Sequence, residues 1–217
     1  MNFPISSPEE AVFGTKSCIF KSILEADKNF VLWQRDLNIF LESWASEIKW
    51  NKIHPLEAEL GLDDLDTFED DLIKELRIWR TRDTDMNNWV ANDMRLIIEN
   101  FMLSTNASEV FVKIEPVSDD MCRLFHVDKN LLRLLCTYVG QGTLWLPSAK
   151  ADKKFLGNGE NKDIVLDPLS IFQAQKLDVL ILKGDSWPNN LVGGAIHRSP
   201  KLESRERRLL LKVDFVS

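Results

Sequence analysis

The spacing of apolar residues changes character near Val110, and that change constrains the fold more than any other feature of the 217-residue chain. Upstream, apolar side chains recur at three- and four-residue steps in three stretches: Phe30, Trp33, Leu37, Phe40, Leu41 and Trp44; Phe68, Leu72, Leu76 and Trp79; Val90, Met94, Ile97, Ile98 and Phe101. Such steps stack side chains into one stripe of an α-helix. Downstream the runs become short and β-branched or continuously apolar, at 110–114, 131–138, 177–183 and 209–216. Glycines and prolines such as Gly140, Gly142, Pro147, Gly193 and Gly194 punctuate them as turns. The expected class is α+β, with 1–217 as a single domain. Residues 1–108 should be mainly helical support, and 109–217 a strand-rich barrel.

One short motif falls inside the strand-rich half. His126-Val127-Asp128 follows the apolar run Met121-Cys122-Arg123-Leu124-Phe125, which reads as a strand, and His197 lies far downstream. Two imidazoles and a carboxylate on one side of a cation leave other coordination positions open, the donor set of non-haem iron(II). With Arg207 ten residues after His197, the order of strand, ligand pair, hairpin strands, distal ligand and arginine strand is the order a double-stranded β-helix site requires. A C-terminal barrel of the jelly-roll or cupin-like kind is therefore expected, with His126, Asp128 and His197 as the metal ligands. No catalytic residue is expected beyond the metal centre.

The last strand offers two arginines for gripping an anionic cofactor. Side chains two apart share a face, so Arg207 aligns with Leu209, Leu211, Val213 and Phe215, whereas Arg208 aligns with Lys212 and Asp214. A charge at the inner end of an apolar face needs an anionic partner. On that ground Arg207 is the expected clamp and Arg208 the second choice.

Composition narrows the partners. Lys and Arg total 27 against 34 Asp and Glu, a net charge of −7, which disfavours nucleic acid as a general partner. Cys18, Cys122 and Cys136 are an odd number without close pairing, so a reducing, cytoplasmic setting is expected rather than a disulfide framework. No apolar run approaches membrane-spanning length. A Gly-x-Ser-x-Gly elbow, a phosphate loop and a dinucleotide glycine pattern are all absent. His54, before Pro55, reads as a loop residue.

Several segments in one order carry a family resemblance: Cys122 to Asp128, Leu134-Leu135-Cys136-Thr137-Tyr138, Gly142-Thr143-Leu144-Trp145-Leu146-Pro147, Leu182-Lys183-Gly184-Asp185-Ser186-Trp187-Pro188 and Ile196-His197-Arg198-Ser199-Pro200. They resemble the bacterial domain-of-unknown-function family numbered eighteen twenty-six, whose members are associated with zinc-responsive gene groups. At a wider distance the same half is similar to prolyl-hydroxylase-like and nucleic-acid-demethylase-like 2-oxoglutarate oxygenases. That likeness implies Fe(II) and 2-oxoglutarate as cofactors, Arg207 or Arg208 as the keto-acid clamp, and Tyr138 as a further keto-acid donor, against the alternative that its hydroxyl is satisfied locally. It also implies a small-molecule or protein substrate. Residues 185–196 lengthen the stretch before His197 relative to that pattern.

Two competing readings stay open. Cys122, His126, Asp128 and His197 would make a closed tetrahedral zinc site, a non-enzymatic metal-handling role. Alternatively His126 and Asp128 form an ordinary hydrogen-bonded pair without metal.

Overall fold

A computed structural model describes residues 8–80, 84–118 and 122–217. Ten strands run as β1 (Ala11–Gly14), β2 (Phe30–Trp33), β3 (Leu56–Leu60), β4 (Val110–Val117), β5 (Leu132–Val139), β6 (Leu144–Leu146), β7 (Phe172–Gln173), β8 (Val179–Lys183), β9 (Ile196–Arg198) and β10 (Arg208–Phe215). Four α-helices accompany them: α1 (Leu41–Ser46), α2 (Leu65–Trp79), α3 (Thr84–Thr105) and α4 (Asn161–Ile164). The fold is a mixed α+β arrangement. Seven strands form a large sheet in the order β1-β2-β8-β5-β10-β4-β3, and three form a small sheet in the order β7-β6-β9. All pairings are antiparallel except β1 with β2.

Alternation along the strands assigns each face of the large sheet to a different neighbour. Leu134, Cys136, Val179, Ile181, Leu209, Leu211 and Val213 belong to one buried cluster with Leu72 and Leu76 of α2 and Met94, Ile98 and Phe101 of α3. The opposite face presents Phe30, Leu32, Leu135, Leu180, Leu182 and Leu210 to Trp145 of the small sheet. There the Trp145 ring stacks on Phe30 with centroids 4.3 Å apart. Central strands covered on both sides need apolar residues at consecutive positions, which is why β8 and most of β5 are buried without alternation. The stripes of α2 and α3 fall where the helical spacing puts them.

The N-terminal half is less helical than the mainly helical support expected of it. Phe30–Trp33 is a strand, not the start of a helix, and three strands of the large sheet come from before Val110. Three- and four-residue steps from Phe30 to Trp44 join unlike elements: Leu37 and Phe40 are 49% and 60% exposed, while Phe30, Leu41 and Trp44 are buried. Four consecutive apolar residues suit a strand covered on both faces as well as a helix, and short runs of this kind are ambiguous by periodicity. The strand expected before His126 is also absent. Met121 lies outside the described residues, and residues 122–125 pass through turn and bend before Phe125 buries its ring beside Leu146, Ile164 and Ile196.

The segment between β8 and β9 is tied down at both ends. Gly184 N donates to Leu131 O at 2.8 Å, Asp185 N to Asp128 O at 2.9 Å, Gly194 N to Asp185 Oδ1 at 3.1 Å and Ala195 N to Lys183 O at 2.8 Å. Residues 185–195 are thus closed off as a loop, and the chain re-enters the small sheet at Ile196, one residue before His197. A Cβ on Gly184 would lie 2.0 Å from Asn130 O. Gly184→Ala is therefore expected to destabilise the protein by about 2 kcal/mol, the scale of overpacking against atoms that cannot move aside. Urea unfolding midpoints measure it, with Gly61→Ala as the control, since its φ is negative and a Cβ there would meet nothing closer than 3.5 Å.

Candidate metal centre

Two backbone hydrogen bonds bring the histidines together. His126 N donates to His197 O at 3.0 Å and His197 N to His126 O at 2.9 Å, an isolated antiparallel bridge that ties the approach to β5 onto β9. Side chains of such a directly opposed pair lie on the same side, and the two rings sit with centroids 4.5 Å apart. Asp128, two residues on, turns to the same point. His126 Nε2 lies 3.6 Å from Asp128 Oδ1, and His197 Nε2 lies 3.5 Å from Asp128 Oδ2. All three donor atoms fall within 4.8 Å of one another.

Hydrogen bonding fixes which ring nitrogen faces the cluster. His126 Nδ1 lies 2.8 Å from Leu124 O, and His197 Nδ1 lies 3.0 Å from Ala195 O. A carbonyl can only accept, so each Nδ1 carries a proton, and whenever a ring is neutral its Nε2 turns a lone pair inward, the arrangement that orients imidazoles as metal ligands.

The charges are arranged around the carboxylate. Burial alone would raise the Asp128 pKa, but the hydrogen bond with His126 and the charges of His197 and Arg133 outweigh it and hold the carboxyl well below its ordinary value. His126 is raised by its hydrogen bond with Asp128, against the effect of burial. His197 goes the other way: burial lowers it to about 4, with Asp128 opposing. Arg133 donates to Asp128 through Nη1 and holds Asp214 with Nε at 2.6 Å and Nη2 at 3.0 Å.

A cavity of about 220 Å³ opens beside the cluster, with His126, His197, Arg133, Arg208, Leu135 and Leu210 among its lining residues. Arg208, from the inner face of β10, is 1% exposed. Its guanidinium reaches only hydroxyls: Ser199 Oγ at 3.4 Å, Thr137 Oγ1 at 3.2 Å and Thr143 Oγ1 at 3.3 Å, with Nε left without a partner. Burial pulls its pKa down to about 10, with Glu115 and Cys122 opposing. Among the described residues no carboxylate bonds it. Gly140, at φ +86°, makes room for it, because a Cβ there would come within 2.9 Å of Arg208 Cγ.

The family model described as "Protein of unknown function (DUF1826)" matches residues 14–214. The chain belongs to that family. Comparison with curated proteins finds no match. Among solved structures, the DUF1826 chain is similar to the rice dioxygenase for auxin oxidation, at 10% identity over 97% of this chain and 83% of that one, with a TM-score of 0.45. The Arabidopsis thaliana dioxygenase for auxin oxidation, solved with 2-oxoglutarate, shares 13% identity over 95% of this chain and 92% of its own, at a TM-score of 0.43. A Pseudomonas putida prolyl-4-hydroxylase shares 12% over 92% and 98%, at 0.38.

Within this DUF1826 fold, the expected site residues separate into two groups. His126, Asp128 and His197 converge; Arg207 and Tyr138 do not join them. Arg207 donates to Glu206 O at 2.8 Å beside a different cleft, with Trp50, Val139 and Arg205. Of the two arginines, Arg208 is the one that lines the cavity beside the donor cluster. Strand parity separates the two faces of β10: the wholly apolar one is covered by α2 and α3, and the wetter one lines the cavity. Tyr138 lies on the helix-covered face, and its hydroxyl donates to Asp93 Oδ2 at 2.5 Å. Its hydroxyl is thus satisfied locally. Cys122 lines the cavity but is exposed and outside the donor cluster, which among the described residues consists of His126, Asp128 and His197. Arg133, Asp214 and the hydroxyls of Ser199, Thr137 and Thr143 carry no role in the reading of the sequence. Asp214 shares the inner face with Arg208, and that parity was the one available signal.

His197 sets a pH dependence in the metal-free protein. Its folded pKa of about 4 lies below the ordinary 6.5, so between those values the unfolded chain binds the extra proton and stability falls as pH falls. At about 1.4 kcal/mol per pH unit the loss attributable to this ring reaches about 3 kcal/mol. His197→Asn should flatten the decline in urea midpoint between pH 6.5 and 4, and an unchanged slope would contradict burial of the neutral ring.

Proposed function

We propose that this chain is an Fe(II)- and 2-oxoglutarate-dependent oxygenase, and that its two sheets are the major and minor sheets of a double-stranded β-helix. One observation carries the proposal: a two-histidine, one-carboxylate donor set and a buried guanidinium with an unused N–H share one cavity. A fully buried arginine held only by hydroxyls is costly unless an anion completes it. The donor set suits Fe(II) bound with open positions, and the fork of Arg208 suits a carboxylate.

In this reading His126, Asp128 and His197 hold the metal. Arg208, assisted by Ser199 and Thr143, receives the far carboxylate of the keto acid. Leu135 and Leu210 give the space between an apolar floor, a surrounding of low dielectric that strengthens charge contacts. Iron, 2-oxoglutarate and dioxygen, when bound, would together supply the oxidant for hydroxylating a C–H bond, one oxygen atom going to the new hydroxyl and the other to succinate as carbon dioxide leaves. The protein's own part is to position both and exclude water. A closed zinc site is less well supported, because it requires Cys122 as a fourth donor.

Three variants test the assignment in protein reconstituted anaerobically with Fe(II). Arg208→Ala should keep iron and raise the Kd for 2-oxoglutarate about 100-fold, the scale for truncating one partner of a buried charge pair. Arg208→Lys should also fail, because an ammonium cannot reproduce the planar fork. Arg207→Ala should bind the keto acid normally. Wild-type protein that retains iron but neither binds 2-oxoglutarate nor forms succinate would sink the oxygenase reading.

A further inference from the structure

Arg133 is the one cavity-lining side chain bonded directly to a residue of the donor cluster, among those described, and it has two carboxylates to satisfy. Its geometry is unequal. Two adjacent donors, Nε and Nη2, engage both oxygens of Asp214, at 2.6 and 3.0 Å, in a side-on fork. The remaining Nη1 goes to Asp128 Oδ2. Asp214 is itself fixed by Asn130, whose Nδ2 donates to Oδ1 at 3.0 Å, and Asn130 O lies against Gly184 at the end of β8. Neighbouring strands supply the two halves of the fork, since Arg133 and Asp214 are directly paired in the β5–β10 register.

We propose that Arg133 is a positioning residue that pins Asp128 so that it offers the cation a single oxygen, Oδ1, and that Asp214 aims it. The proposal rests on the metal-binding reading above. A carboxylate on a free χ2 torsion can turn to present one oxygen or both, and a terminal sp²-type torsion is broad. Oδ2 lies 3.5 Å from His197 Nε2 but is taken by the charge-assisted bond to Arg133, and Asp128 keeps Oδ1 free on the side where His126 Nε2 lies, 3.6 Å away. The protein then contributes three donor atoms rather than four.

Two forces oppose each other when the clamp is removed. Losing a cation near the site favours a divalent ion electrostatically, whereas losing the orientation of a ligand disfavours it. Hydrogen-bond partners behind metal ligands typically govern 10–100-fold in affinity. Orientation therefore decides the sign, and affinity falls.

The experiment measures the Kd of Co(II), with visible absorption of the Co(II)-loaded protein as a second readout. It uses wild type, Arg133→Lys and Asp214→Asn, each checked for folding by circular dichroism and Tm. Arg133→Lys keeps the charge without the fork. Asp214→Asn leaves both Arg133 and Asp128 in place and removes the anion that aims them. A rise of 10-fold or more in Kd for both variants, with an altered Co(II) spectrum and a folded protein, is the expected result. Wild-type affinity and spectrum in Arg133→Lys would overturn the proposal, because charge alone would then suffice. An unaltered Asp214→Asn would overturn the aiming role, and it decides the matter should Arg133→Lys fail to fold. Absence of Co(II) binding by the wild type would instead remove the metal-binding reading, and the clamp with it.

Discussion

The site depends on a pair of backbone hydrogen bonds. His126 and His197 are far apart in sequence, and the reciprocal N–H···O bonds between them, at 3.0 and 2.9 Å, set their rings side by side. The bridge works because one partner sits on β9 of the small sheet and the other just before β5 of the large sheet. It therefore also fastens the two sheets at the edge where the cavity opens. Asp128 needs only to be two residues further along an extended chain.

A second constraint is the division of labour between the faces of the large sheet. One face is sealed by helices and carries the apolar residues of β5, β8 and β10. The other is sealed by Trp145 and its neighbours only in part. Along β10, Leu209, Leu211 and Val213 belong to the sealed side, while Arg208, Leu210 and Lys212 line the cavity. Polar groups concentrate there because a buried charge is tolerable only where a partner can be brought in. Tyr138, Asp93 and Arg35 make a separate polar knot on the helix side, where each answers another: Tyr138 donates to Asp93, and Arg35 pairs with it.

How far the sequence discloses this can be argued residue by residue. The stripes of α2 and α3 and the runs of β4, β5, β8 and β10 were legible because each is long enough for its period to stand out. β2 was not, since four apolar residues fit either period. His126, Asp128 and His197 were legible through residue type and order. The placement of Arg208 beside them was not, because parity groups residues by face without saying which face is covered by helices and which lines the cavity. Arg133 was illegible for a different reason. Its two carboxylate partners lie on opposite sides of it in the chain, Asp128 just before β5 and Asp214 on β10, and only strand pairing joins all three.

The strand order of the large sheet also bears on how the molecule comes into being. β10 lies between β5 and β4, although both are made before it. As the chain leaves the ribosome, the sheet has a slot at its middle that only residues 208–215 fill. Contacts so distant in sequence form slowly, and until this last insertion the flanking strands expose unpaired edges. Since β10 brings both Arg208 and Asp214, the pocket and the support behind the carboxylate appear only after β4, β5 and β8 have been made, and a nascent chain that stops short of β10 has neither.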